Sequence, residues 1–173
     1  IALFVGAILA VFNLDWGARL SGSSMLVLSL WFLKNDLATR NIRHANPLTR
    51  YIAFCLFGGF IWLGVGGLLQ LIVGATYAGP LYDAVLHVVF VGFVMSMIFG
   101  HAPIIFPAIL GLPVQYRSAF HVHLVLLHLS LLLRVAGDLT NQFDIRRWGG
   151  LLNEVAILLF LGTTVYSIAK GKG

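Results

Sequence analysis

Five of the six histidines fall in two consecutive apolar segments: His87 and His101 in one, His121, His123 and His128 in the next. The sixth, His44, sits in a basic connecting stretch and faces solvent or headgroups. Ionisable side chains inside a bilayer are costly and usually look into the bundle with a partner. Neutral imidazole is also the commonest metal ligand. Two chemistries suit such a set. A haem iron takes axial imidazoles from facing helices around a flat apolar slot. Copper takes two or three imidazoles at closer range. Structural zinc wants four ligands, often thiolates, and the one cysteine, Cys55, supplies neither that set nor a disulfide framework. The plainer alternative is that each histidine hydrogen-bonds a helix carbonyl or sits at the membrane interface.

Spacing narrows the pairings. In a straight α-helix His87 and His101 differ by roughly 40° in direction and about 21 Å in height, so one helix shows an imidazole towards each side of the membrane. His121 and His128 differ by roughly 20° and about 10 Å, whereas His123 points some 200° away from His121. If the two segments are antiparallel neighbours, the expected cross-helix pairs are His101 with His121 or His123, and His87 with His128. Their heights match only with a tilt or a kink. All five are candidate cofactor or metal ligands. Arg134, about two turns beyond His128, either binds a carboxylate such as a haem propionate or snorkels to the interface.

The elements that must carry these residues are apolar helices. Of the 173 residues 60% are hydrophobic and only 10% charged, and the mean hydropathy is +0.95. A soluble domain carries roughly 25% charged residues, so lipid is the solvent this composition fits. Six apolar segments are legible: Ile1 to about Phe12, Ala18 to Leu33, Tyr51 to Thr76, Tyr82 to Gly100 or a little beyond, Arg117 to Ala136, and Trp148 to Ala169. Backbone groups cannot go unpaired in lipid, so these are helices. The expectation is an all-α, polytopic transmembrane bundle of five to six spans, a single domain over residues 1–173. Ile1 to Phe12 lacks the basic region of a signal peptide and reads as the end of a spanning helix that begins earlier. Pro80 marks a tight turn. Pro103, Pro107 and Pro113 each remove a backbone donor and predict a bent or interfacial exit from the fourth segment.

The net charge is +5, but the basic residues form no tract, so nucleic acid is not an expected partner. They sit between apolar runs, as topology signals do. Lys34, Arg40, Arg43, Arg50, Arg117, Lys170 and Lys172 fall on one side; Arg19, Arg134, Arg146 and Arg147 fall on the other. The richer side is expected in the cytoplasm of a bacterial inner membrane. The tryptophans and tyrosines mostly lie near segment ends and read as an aromatic belt. Glycines in the third segment, and Gly92, Ser96 and Gly100 at four-residue spacing in the fourth, serve close helix packing or leave room for a flat cofactor. Glu154 either lines the start of the sixth helix or relays protons. No phosphate loop, nucleophile elbow or zinc-protease motif is present.

Three resemblances bear on these residues. Leu86-His87 through Gly100-His101 resembles the di-haem cytochrome b pattern, in which one helix carries two haem ligands fourteen apart; the next segment does not repeat that spacing. His121-Val122-His123 is similar to the His-x-His of haem–copper oxidase catalytic subunits, where the two histidines serve two haems. The oxidase copper triad and its tyrosine have no counterpart here. The run Met97-Ile98-Phe99-Gly100-His101-Ala102-Pro103 and the histidine-rich helix after it look like part of the NnrS family, haem- and copper-binding membrane proteins linked to nitric oxide stress. This resemblance spans about Asp83 to Ala169. It implies a haem b subunit, with copper as the alternative cargo, working in electron transfer or nitric oxide handling beside other membrane subunits. A cofactor-free structural subunit of a larger complex is the third expectation.

Overall fold

The computed structural model describes residues 1–111 and 114–171; the sequence positions Pro113 and Lys172 lie outside them. The described residues form helices joined by short connections, with no strand among them. In chain order these are α1 (Ala2–Phe12), α2 (Leu14–Asn35), α3 (Leu37–Asn41), α4 (Pro47–Val73) and α5 (Pro80–His87). A π-helical stretch (Val88–Val94) continues α5 into α6 (Met95–Leu110). Then come α7 (Phe120–Leu139) and α8 (Phe143–Gly171). The chain is an all-α helical bundle.

Among the described residues, four helices are long and apolar enough to cross a membrane, over Pro47–Val73, Pro80–Ile109, Phe120–Leu139 and Phe143–Lys170. The expected count of five to six is higher because it included the first two segments. α1 has 11 residues, short of the roughly 20 a span needs. α2 has 22 residues, but Asp15, Arg19 and a run of serines dilute its apolar character. The two pack as a hairpin about Asn13, whose side chain caps α2 by accepting from Trp16 N at 3.1 Å.

Caps and prolines fix the other ends. Asn46 accepts from Leu48 N and Thr49 N, with Pro47 in the first turn of α4. α4 stops at Gly74, whose φ of +71° favours glycine. Pro103 and Pro107 lie inside α6, which runs on to a left-handed Gly111. The chain thus stays helical through both prolines as far as Leu110, and the expectation for Pro113 lies outside the described residues. A helical proline deprives the carbonyl four residues earlier of its donor. For Pro103 that carbonyl is Phe99 O, and the Tyr51 hydroxyl lies 3.4 Å from it.

α4 is the hub. It packs on α2 along one side, on the π-helical stretch and α6 along another, and touches α7, which pairs along its length with α8. Missing side chains set the close approaches: a Cβ on Gly67 would meet the Gly22 carbonyl, and one on Gly100 would meet Cys55 and Leu56. Among the core residues are Tyr51, Cys55, Phe99, Phe120, Leu127 and Phe160. Trp62 joins Val88 and Leu131 in a second cluster. Tyr51 and Trp62 therefore belong to the interior and not to the aromatic belt. Trp16, Trp31, Trp148, Tyr77 and Tyr166 are exposed.

Candidate functional site

The five histidines occupy four different settings. His123 is buried, in a cage of Phe99, Phe120, Phe160 and Tyr51 with ring centroids 4.9 to 6.2 Å away. Thr163 gives its hydroxyl proton to Leu159 O at 2.7 Å, so it accepts from His123 Nδ1 at 3.2 Å. The Tyr51 hydroxyl then donates to His123 Nε2 at 3.0 Å. Both nitrogens are engaged, in a polar chain from α4 through α7 to α8. As a candidate iron or copper ligand His123 has no nitrogen to offer in this arrangement.

His128 receives Trp62 Nε1–H on its Nδ1 at 2.9 Å. An indole N–H only donates, so Nδ1 is the acceptor and the neutral ring carries its proton on Nε2. That nitrogen is buried without a hydrogen-bond partner among the described residues. It lies over Gly58, where a Cβ would come within 2.6 Å. A metal needs the lone pair of Nε2, which this tautomer does not present. His121, one of whose nitrogens lies 3.3 Å from the Tyr116 hydroxyl, faces the same groove between α4 and α7. The groove measures about 360 Å³, with walls from Phe54, Phe57, Leu124 and Val125.

His87 and His101 share a local geometry. Each places Nδ1 at hydrogen-bond distance from the carbonyl one turn earlier, Asp83 O at 2.8 Å and Met97 O at 2.7 Å. A carbonyl only accepts, so the proton is on Nδ1 and the Nε2 lone pair is free, the arrangement that orients metal-binding histidines. A straight helix would put the two on one face, but their settings differ, His87 being half-buried and His101 exposed. The intervening π-helical stretch Val88–Val94 has i→i+5 bonding. Each residue it absorbs turns everything downstream by about 100°. The expected pairs are replaced by separate partners: His128 has Trp62 of α4, His123 has Tyr51 and Thr163, and His101 has only its own helix.

His87 borders a charge cluster that sequence reasoning missed. Asp83 of α5 is held by both Arg134 of α7 and Arg146 of α8, the second at 2.6 Å. Asp138, fully enclosed, lies 2.8 Å from Arg146 Nε and 3.4 Å from Arg134 Nε. Arg134 also donates to the Arg146 carbonyl. It is thereby engaged by protein partners on α5 and α8. Asp83, His87 and Asp138 bring ligand atoms within 4.8 Å of one another. Two guanidiniums already balance the two carboxylates, so a divalent cation there would meet like charges at contact distance. The cluster works as an ion-paired lock joining α5, α7 and α8. Glu154 lies beside it, exposed, in an open groove with Arg146 and Arg147.

A sequence signal existed for the lock: Asp83, at the start of the fourth apolar segment, and Asp138, just after the fifth, fall on the side where Arg134 and Arg146 fall. None existed for Trp62 or Tyr51, whose partners are 66 and 72 residues away.

No curated protein and no solved structure matches the chain. A match that runs over residues 1–169, nearly the whole of the described bundle, shows that the chain belongs to the family described as Domain of unknown function (DUF8744).

Proposed function

We propose that the chain is a histidine-ligated haem b subunit of a bacterial inner membrane, serving electron transfer or the handling of a small gas such as nitric oxide. The observation that carries the reading is His101. It sits on a spanning helix, its Nδ1 is held by Met97 O at 2.7 Å, and its ring is exposed with Nε2 free. A neutral imidazole fixed in that tautomer is the donor that haem iron takes. The other histidines fit less well. His123 has both nitrogens engaged, His128 carries its proton on the nitrogen that Trp62 leaves free, and His87 borders the ion-paired lock. His101 would be the one imidazole this chain supplies to the iron. Bound haem would supply the one-electron chemistry; His101 would fix the iron against the helix, and the apolar surroundings would tune its potential. The basic side, with Lys34, Arg40, Arg43, Arg50 and Arg117, is assigned to the cytoplasm by the excess of positive charge.

The test is a reduced-minus-oxidised visible spectrum of detergent-purified protein made with ample haem, beside His101→Ala and His123→Ala. The reading expects a b-type signal that His101→Ala abolishes and that a folded His123→Ala retains. A colourless, folded wild-type protein overturns it.

A further inference from the structure

Ion pairing differs between the two ends of the bundle. At the end where α4 turns into α5, Arg19 pairs with Asp15, and Arg134 and Arg146 pair with Asp83 and Asp138. With Asp144 and Glu154, five of the six acids belong to that half. At the other end stand Lys34, Arg40, Arg43, Arg50, Arg117 and Lys170, and none of them is ion-paired among the described residues. The one acid there, Asp36, caps α3 by accepting from Ala38 N at 2.8 Å. Packing gathers these cations. α3 lies on α4, so Arg40 stands beside the helix whose first turn carries Arg50. Tyr51 and Tyr116, the chain neighbours of Arg50 and Arg117, have ring centroids 6.3 Å apart. The Arg117 guanidinium lies 4.9 Å from the centre of the Tyr166 ring, one turn before Lys170.

Gathered cations without acids repel one another, and bound anions relieve the repulsion. α3 indicates which anion. Ala38 is buried, whereas Leu37 and Arg40, three residues apart and so on one face, are both exposed, Leu37 by 66%. An apolar and a basic side chain on one outward face suit a segment lying between headgroups and acyl chains. A free anion would answer Arg40 and leave Leu37 in water; a phospholipid answers both. We infer that this end of the bundle is a docking surface for anionic phospholipids. Lys34, Arg40, Arg43 and Arg50 meet the phosphate groups, and Leu37 rests among the upper acyl carbons. The inference depends neither on haem nor on which side of the membrane this end faces.

Electron paramagnetic resonance tests it, on purified protein in phosphatidylcholine vesicles with a trace of spin-labelled lipid. The label is carried by phosphatidylglycerol in one sample and by phosphatidylcholine in the other, and the signal separates lipid held at the protein from free lipid. Wild type is expected to favour phosphatidylglycerol about fivefold or more, the ratio that one basic side chain supplies against anionic lipid. Lys34→Gln, Arg40→Gln and Arg43→Gln combined, all at exposed positions, are expected to lower that ratio to about half or less. Arg147→Gln removes an exposed cation at the acid-rich end and is expected to leave the ratio unchanged. Equal holding of the two lipids by wild type overturns the inference. So does an unchanged ratio in the triple variant with a wild-type unfolding midpoint. Full displacement by glycerol phosphate also overturns it, because it marks a site for free anions.

Discussion

Trp62 Nε1–H points at His128 Nδ1 across 2.9 Å, from α4 to α7, and sets which nitrogen of that histidine holds its proton. Removing the donor frees the imidazole to swap tautomers. Trp62→Phe is expected to lower stability by about 1 kcal/mol for the hydrogen bond, with a further loss from the smaller ring. Thermal unfolding in detergent checks it.

Tyr51 closes the buried chain to His123 and Thr163. Tyr51→Phe keeps the ring and strands an acceptor nitrogen in an aromatic cage. The expected loss is about 1–3 kcal/mol, the cost of an unpaired buried polar atom. The midpoint falls while the far-ultraviolet circular dichroism stays helical.

The ion-paired lock is graded by burial. Asp138 has no exposed side chain, whereas that of Asp83 is about a quarter exposed, at 26%. Asp138→Asn leaves Arg134 and Arg146 one carboxylate short inside the bundle and is expected to cost about 3 kcal/mol or more. Asp83→Asn costs less, because water reaches the site. Unfolding midpoints of the two variants, ranked against wild type, check the order.

Helical glycines split into two kinds. A Cβ on Gly137 would strike the backbone of Arg146, and one on Gly149 the backbone of Arg134, whereas nothing lies within 4 Å of a Cβ on Gly162. Gly137→Ala and Gly149→Ala are expected to destabilise the α7–α8 pair by about 1–3 kcal/mol, the usual cost of overpacking. Gly162→Ala is expected to be neutral or to stabilise by up to about 1 kcal/mol through helix propensity. The three midpoints decide it.

The helices were legible because apolar runs and their punctuation are local. Pro47, Gly74 and Pro80 mark ends within a few residues of the hydropathy reading, whereas the helix expected to end near Gly100 runs on to Leu110. The histidine geometry was not legible, because it rested on a 3.6-residue period carried unbroken from His87 to His101. Val88–Val94 is an apolar run whose composition gives no sign of π-helical bonding. Arg134 looked alike whether it snorkelled or paired, since its partner Asp83 stands 51 residues away. Trp62 and Tyr51 were read by residue type as interfacial, and only the packing of α4 at the centre of the bundle reveals them as buried donors.

The order in which the lock is assembled bears on how the chain enters the bilayer. Asp83 precedes Arg134 by 51 residues and Arg146 by 63. During synthesis its carboxylate reaches the membrane well before either cation has been made. The helix that carries it, Pro80–Ile109, therefore starts its life with an uncompensated acid at its beginning. Neutrality arrives with the final hairpin, when α7 brings Arg134 and Asp138 together and α8 brings Arg146. A chain cut off before that hairpin would retain its apolar runs and lack the counter-ions of Asp83.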